Sequence, residues 1–205
     1  MRIFSSAEYC LRVALRMSLI ALAAPVWRVC DFCLIFVPFG HYDEPQILPY
    51  AITLICPIGA DVRQKDLELI LRFFAFFYYS DKYRRPMKLF LNQYMASNRQ
   101  LKRQTEKELT EIFARTTSLL YSAVGRRAFR PRRAVNAAVV DSLMTGVARR
   151  LRNKGDIKNE VQFVKAYETL IGNPDYLSAV ETGTSQEANV EVRLTLAEEA
   201  FAEVK

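Results

Sequence analysis

Residues 66–99 read DLELILRFFAFFYYSDKYRRPMKLFLNQYMASNR, and this stretch decides the fold. Its first half is nearly all apolar. Leu67, Ile70, Leu71, Phe74 and Tyr78 share one helical face, and Leu69, Phe73 and Phe76 fill a second. A helix patterned on two faces is buried nearly all round. Ser80-Asp81-Lys82 ends it, and Pro86 suits the first turn of a new helix, where a missing N–H is no loss. Met87, Phe90, Leu91, Tyr94 and Met95 then fall at i, i+3, i+4, i+7 and i+8, one amphipathic stripe that Asn98 stops.

Toward the C-terminus the helical signals continue. Thr105-Glu106-Lys107-Glu108 is a capping box, in which hydroxyl and carboxylate each satisfy a backbone N–H. The stripe behind it is Leu109, Ile112, Phe113, Thr116, Leu119, Leu120 and Ala123, with Gly125 as a left-handed stop. After the loop RRAFRPRR comes Val135, Ala138, Val139, Ser142, Leu143, Gly146, Val147 and Leu151, closed by Gly155. Val161, Val164, Tyr167, Leu170 and Ile171 mark a further helix, broken by Gly172-Asn173-Pro174. A short helix follows over Asp175–Glu181. A last one runs to about Val204, with Leu196, Ala197, Ala200, Phe201 and Val204 inward. No strand pattern is evident after Asp66. The expected fold is all-α, an irregular bundle of six or seven helices over 61–205.

Residues 1–60 read differently. Arg2, Arg12 and Arg16 precede an apolar run from Met17 to Ala24, the layout of a signal peptide. Cys30 to Phe39 is apolar again, but Arg28 and Asp31 divide the two runs, and neither reaches the ~18–20 residues of a spanning helix. The stretch HYDEPQILPYAITLICPIGAD holds three prolines and has no period. The favoured reading is an atypical N-terminal segment, from a misassigned start or a frameshift, set before a helical domain.

Charge is uneven along the chain. Residues 61–133 carry 17 Lys/Arg against 7 Asp/Glu, net +10, whereas 1–60 are neutral and 134–205 are net −3. A local basic field is a statement about partners, chiefly nucleic acid or an anionic membrane. Its densest part is Arg126, Arg127, Arg130, Arg132 and Arg133, which Arg84, Arg85 and Lys88 can join. The arginine fork suits phosphate. Arg149, Arg150 and Arg152 stand at the far end of the intervening helix, about 27 Å away at 1.5 Å per residue. Phe129, between arginines, either stacks on a base or anchors the loop in the core.

Catalytic and metal motifs are sparse. Cys30-Asp31-Phe32-Cys33 is a C-x-x-C, but Cys10 and Cys56 do not complete a zinc set, and the four cysteines suit a reducing cytosol. His41 is the only histidine, which excludes two-histidine metalloprotease and histidine nuclease motifs. The seven glycines form no phosphate loop. No catalytic residue, metal ligand or cofactor is assigned.

The segments LELILRFFAFFYYSDKYRRPMKLFLNQYMASNR, EIFARTTSLLYSAVGRRAFR and VNAAVVDSLMTGVAR resemble the helical C-terminal region of the family typified by the GmrSD modification-dependent restriction enzymes. The matching elements are Leu71-Arg72-Phe73-Phe74-Ala75-Phe76, Met87 to Met95, Phe129-Arg130, and Thr184, Asn189 and Arg193 in the closing segment. The resemblance covers about 61–205. In that family the nucleotide and DNA chemistry lies upstream, in a ParB/sulfiredoxin-like domain with an Asp-Gly-Gln-Gln-Arg type motif, and this chain has no such motif. The resemblance therefore implies a helical part of a nucleotide-dependent endonuclease, separated from its catalytic half.

Three readings stand open: a non-catalytic helical domain of a restriction or phage-defence protein that contacts DNA backbone, a structural scaffold for a missing ParB-like N-terminal domain, and a membrane-associated protein anchored by residues 10–39. The scaffold reading expects Phe73, Phe74, Phe76 and Phe77 to lack cover.

Overall fold

The computed structural model describes residues 64–101 and 103–205. The expectations for the N-terminal segment, the C-x-x-C and His41 lie outside the described residues. The described part is all-α, with seven α-helices: α1 (Gln64–Tyr79), α2 (Met87–Ser97), α3 (Glu106–Ala123), α4 (Ala137–Lys154), α5 (Glu160–Gly172), α6 (Pro174–Glu181) and α7 (Glu187–Ala202).

The local signals explain most boundaries. Thr105 and Glu108 form the reciprocal box that starts α3. The Asn136, Asn159 and Asn173 side chains each accept N–H groups from the first turn of α4, α5 and α6. Gly125 and Gly155 both sit at φ +76°, where a Cβ is unfavourable, just past the ends of α3 and α4. Pro86 lies one residue earlier than expected: it is the extended residue capping α2, and the helix opens at Met87.

Helix direction follows from which residues meet. Arg72 pairs with Asp141, and Ser80, two turns on, bonds Arg149. Arg193 pairs with the same Asp141, Glu198 with Arg149, and the Ala202 carbonyl with Lys154. Positions rise together in all three helices, so α1, α4 and α7 are parallel. Phe90 against Phe76 and Tyr94 against Tyr79 make α2 parallel as well. In the opposite sense, Tyr176 meets Ser142 while Asn136 reaches the Val180 carbonyl, so α6 is antiparallel to α4.

α4 lies at the centre, with an unbroken buried run from Ala138 to Ala148. At Gly146 α4 lies tight against the α7 backbone: a Cβ there would stand 2.8 Å from the Ala197 carbonyl carbon and oxygen. Around α4 an aromatic cluster fills the volume between α1, α2 and α3. Phe73 and Phe74 lie 6.0 Å from Phe113, and Phe76 lies 5.3 Å from Tyr83 and 5.1 Å from Phe90. Phe73, Phe74 and Phe76 are fully buried and Phe77 is nearly so. The described helices thus cover the phenylalanines that the scaffold reading expected to be bare.

Two packing expectations are corrected. Val161 is 82% exposed, because it lies in the first turn of α5, and the inner face of that helix is Phe163, Tyr167 and Leu170. In α7 Ala197 and Phe201, and Val204 just past its end, are buried as expected, while Leu196 and Ala200 are half-buried and Val190, Arg193 and Leu194 complete the inner face.

Asn136 holds two elements at once. Its Oδ1 accepts from Ala138 and Val139 N–H, and its Nδ2 donates to the Val180 carbonyl. Asn136→Ala is expected to lower unfolding free energy by about 1–2 kcal/mol, the upper range for a lost N-cap, as measured by urea denaturation.

Candidate nucleic-acid interface and the buried ion cluster

The parallel order of α2, α4 and α7 places their N-termini toward one end of the bundle. The α1–α2 connection brings Arg84 and Arg85 there: the Tyr83 hydroxyl donates to the Ser185 carbonyl, and the Arg85 backbone N–H donates to Glu187 Oε1 at 2.8 Å. The α3–α4 connection brings the second group: Arg132 pairs with Glu181 at 2.9 Å. Glu181 ends α6 and Glu187 begins α7, so the turn 182–186 stands between the two basic arms.

Of the expected contact residues, Arg84, Arg85, Lys88, Arg126, Arg127, Arg132 and Arg133 are exposed, and Arg130 is half-buried with a guanidinium N–H donating to the Arg126 carbonyl. Of these, Arg85 and Arg132 reach the two ends of the turn 182–186, so the basic residues approach it from two connections rather than as one run. Phe129 is fully buried and unavailable to a base, so it anchors the loop. Arg149, Arg150 and Arg152 sit at the opposite end and serve the fold. Arg150 donates to the Val204 and Gly155 carbonyls, Arg149 pairs with Glu198, and Arg152 lies 4.6 Å from the Phe77 ring centroid.

Glu187 is fully solvated, and the Arg85 backbone N–H holds its carboxyl below the usual range, with Arg85 and Arg84 adding a weaker pull. It stays ionised at neutral pH as an anion seated beside two arginines.

Below this end lies a constellation that periodicity did not single out. Asp141, fully buried on α4, accepts from Arg72 Nε at 2.9 Å and Nη2 at 2.5 Å, and from Arg193 Nη2 at 3.2 Å. Arg193 is also fully buried, and its Nη1 donates to the Thr184 carbonyl at 2.6 Å. Arg72 reaches the exposed Glu68 at 3.6 Å as well. For Arg72, burial opposes the charge but Asp141 outweighs it, so the net shift is upward. For Arg193, burial dominates, Asp141 opposes it, and the nearby Arg72 adds to the downward shift. One carboxylate thus holds two cations and, through Arg193, the turn 182–186. The signal in the sequence is partial: Asp141 is the lone charge within the apolar first half of α4, and a buried charge requires a partner, but α7 carries several charges and nothing local marks Arg193 as that partner.

An open groove of about 610 Å³ between α6 and α7 is bordered by Asp175, Glu191 and Glu199, with Val192 and Leu196 between them. Its carboxylates repel phosphate, so it is a poor seat for nucleic acid. Among the described residues no group of His, Cys, Asp and Glu is arranged to hold a metal ion, and no helix is long and apolar enough to cross a membrane. Compared with family models, curated proteins and solved structures, the chain matches none.

Proposed function

We propose that the helical unit is a non-catalytic, phosphate-contacting domain, in keeping with the GmrSD-like resemblance, and that it assists a nucleotide-dependent restriction or defence activity in the cytoplasm. The observation that supports this reading is the convergence of two exposed basic arms on one turn at one end of the bundle. Arginine forks on such a surface take backbone phosphates without reading bases. Affinity then comes from counterion release and is indifferent to sequence.

Anisotropy titrations of the full chain with duplexes of unrelated sequence test it. The expected result is similar affinity for each duplex and a log–log salt slope of about −4 to −5, which corresponds to about five phosphate contacts. Replacing Arg84, Arg85 and Lys88 by alanine, or Arg126, Arg127 and Arg133, is expected to flatten the slope in each case. Absence of binding at low salt, or affinity unaltered by salt, overturns the reading.

A further inference from the structure

The carboxylates of Glu181 and Glu187 stand where the two basic arms meet the turn 182–186. Glu181 engages the Arg132 guanidinium at 2.9 Å, and Glu187 engages the Arg85 backbone N–H at 2.8 Å. The arms come from connections distant in sequence, 49 and 102 residues from their acidic partners. Neither carboxylate belongs to the core: both residues are exposed. An acidic residue lodged among arginines on a phosphate-contacting face takes donors from the ligand and repels it.

We infer that the turn 182–186 is the centre of the phosphate-binding surface, and that Glu181 and Glu187 occupy two of its donors as internal anions which a duplex backbone phosphate must displace. This rests on the phosphate-contact reading above. The physics is an exchange of one anion for another. In the free protein a carboxylate oxygen accepts from Arg132 and another from the Arg85 N–H. In the complex a phosphate oxygen takes those donors, with its extra acceptor sites, and the displaced carboxylates turn to solvent. The exchange weakens binding because the carboxylate contacts are given up before the phosphate contacts form, while the number of phosphates neutralised, and so of counterions released from the duplex, is unchanged.

The surrounding contacts hold the turn steady through that exchange. Arg193 donates to the Thr184 carbonyl, Tyr83 to the Ser185 carbonyl, and Asn189 Nδ2 to the Thr182 and Gly183 carbonyls. None of these uses the Glu181 or Glu187 side chain, so the carboxylates can be neutralised with the turn retained.

The test is the same anisotropy titration with Glu181→Gln, Glu187→Gln and the double variant. Glu203→Gln is the control, since Glu203 pairs with Lys154 at the opposite end. Each single variant is expected to bind duplex about threefold more tightly near 0.1 M salt, and the double variant about tenfold, with the salt slope close to that of wild type because the same phosphates are neutralised. The control is expected to change affinity less than about twofold, the effect of net charge alone. If wild-type chain binds duplex and the two glutamine variants match it, or rise no more than the control, the inference fails while the broader reading stands. If wild-type chain does not bind duplex under any salt condition, both fail together.

Discussion

Asp141→Ala is expected to lower the unfolding free energy by about 3–5 kcal/mol, the range for deleting one partner of a buried ion pair. Asp141 is fully buried and is the shared acceptor for Arg72 and Arg193. Without it two cations remain in the core, one with a fully buried side chain and the other with only the exposed Glu68 in reach. Guanidinium does not neutralise itself by losing a proton, so the strain cannot be relieved by titration. Asp141→Asn is a sharper probe. It keeps the shape and one acceptor oxygen but turns an amide donor toward an arginine, and it is expected to lose most of the same energy. Urea denaturation monitored by circular dichroism measures both. Hydrogen exchange gives a second readout: the amide of Gln186, bonded to the Gly183 carbonyl, is expected to lose protection, because Arg193 ties Asp141 to the Thr184 carbonyl of the same turn. A loss below about 1 kcal/mol would mean that the arginines find other acceptors.

Gly146→Val is expected to cost about 3 kcal/mol, at the upper end for overpacking. The reason is the separation of α4 and α7. A Cβ at Gly146 would stand 2.8 Å from backbone atoms of Ala197, and backbone cannot rotate away as a side chain does. Gly146→Ala meets the same backbone obstacle but recovers about 1 kcal/mol of helix propensity, so its loss is expected to be smaller, about 2 kcal/mol. The double variant Gly146→Val with Ala197→Gly separates the causes. Removing the Ala197 Cβ clears the contact at 3.1 Å and leaves the two at 2.8 Å, so the glycine is not expected to rescue stability. Rescue to near wild type would place the obstacle in the side chain. Chemical denaturation midpoints decide between the two.

The helices were readable because their ends are local chemistry. The Thr105–Glu108 box, the glycines at 125 and 155, and Gly172-Asn173-Pro174 each act within four residues, and each marks a real boundary. The inner face of α5 was misjudged where two apolar patterns competed: Val161 and Phe163 both continue to Tyr167 and Leu170, and only packing against Phe201, 5.1 Å from Phe163, selects between them. Arg193 was harder to read. It occupies a core position between Val190 and Ala197, and a charge in an apolar stripe reads as surface unless its partner is known. That partner lies 52 residues away. The basic residues were legible as composition, but their grouping was not. Whether Arg85 and Arg132 approach the same turn depends on helix direction, which periodicity does not encode.

The parallel course of α1, α4 and α7 has a consequence for synthesis. An up-and-down bundle can fold hairpin by hairpin as it emerges, whereas here the contacts that close the core join residues 69 and 52 apart. The ring of Phe163 stacks on Phe201, and Arg150 is held by the Val204 carbonyl. A nascent chain from which α7 has not yet emerged therefore exposes one flank of α4, Gly146 included. Closure of this unit waits on the emergence of α7, and chaperones that shield apolar helix faces have their longest opportunity at that flank.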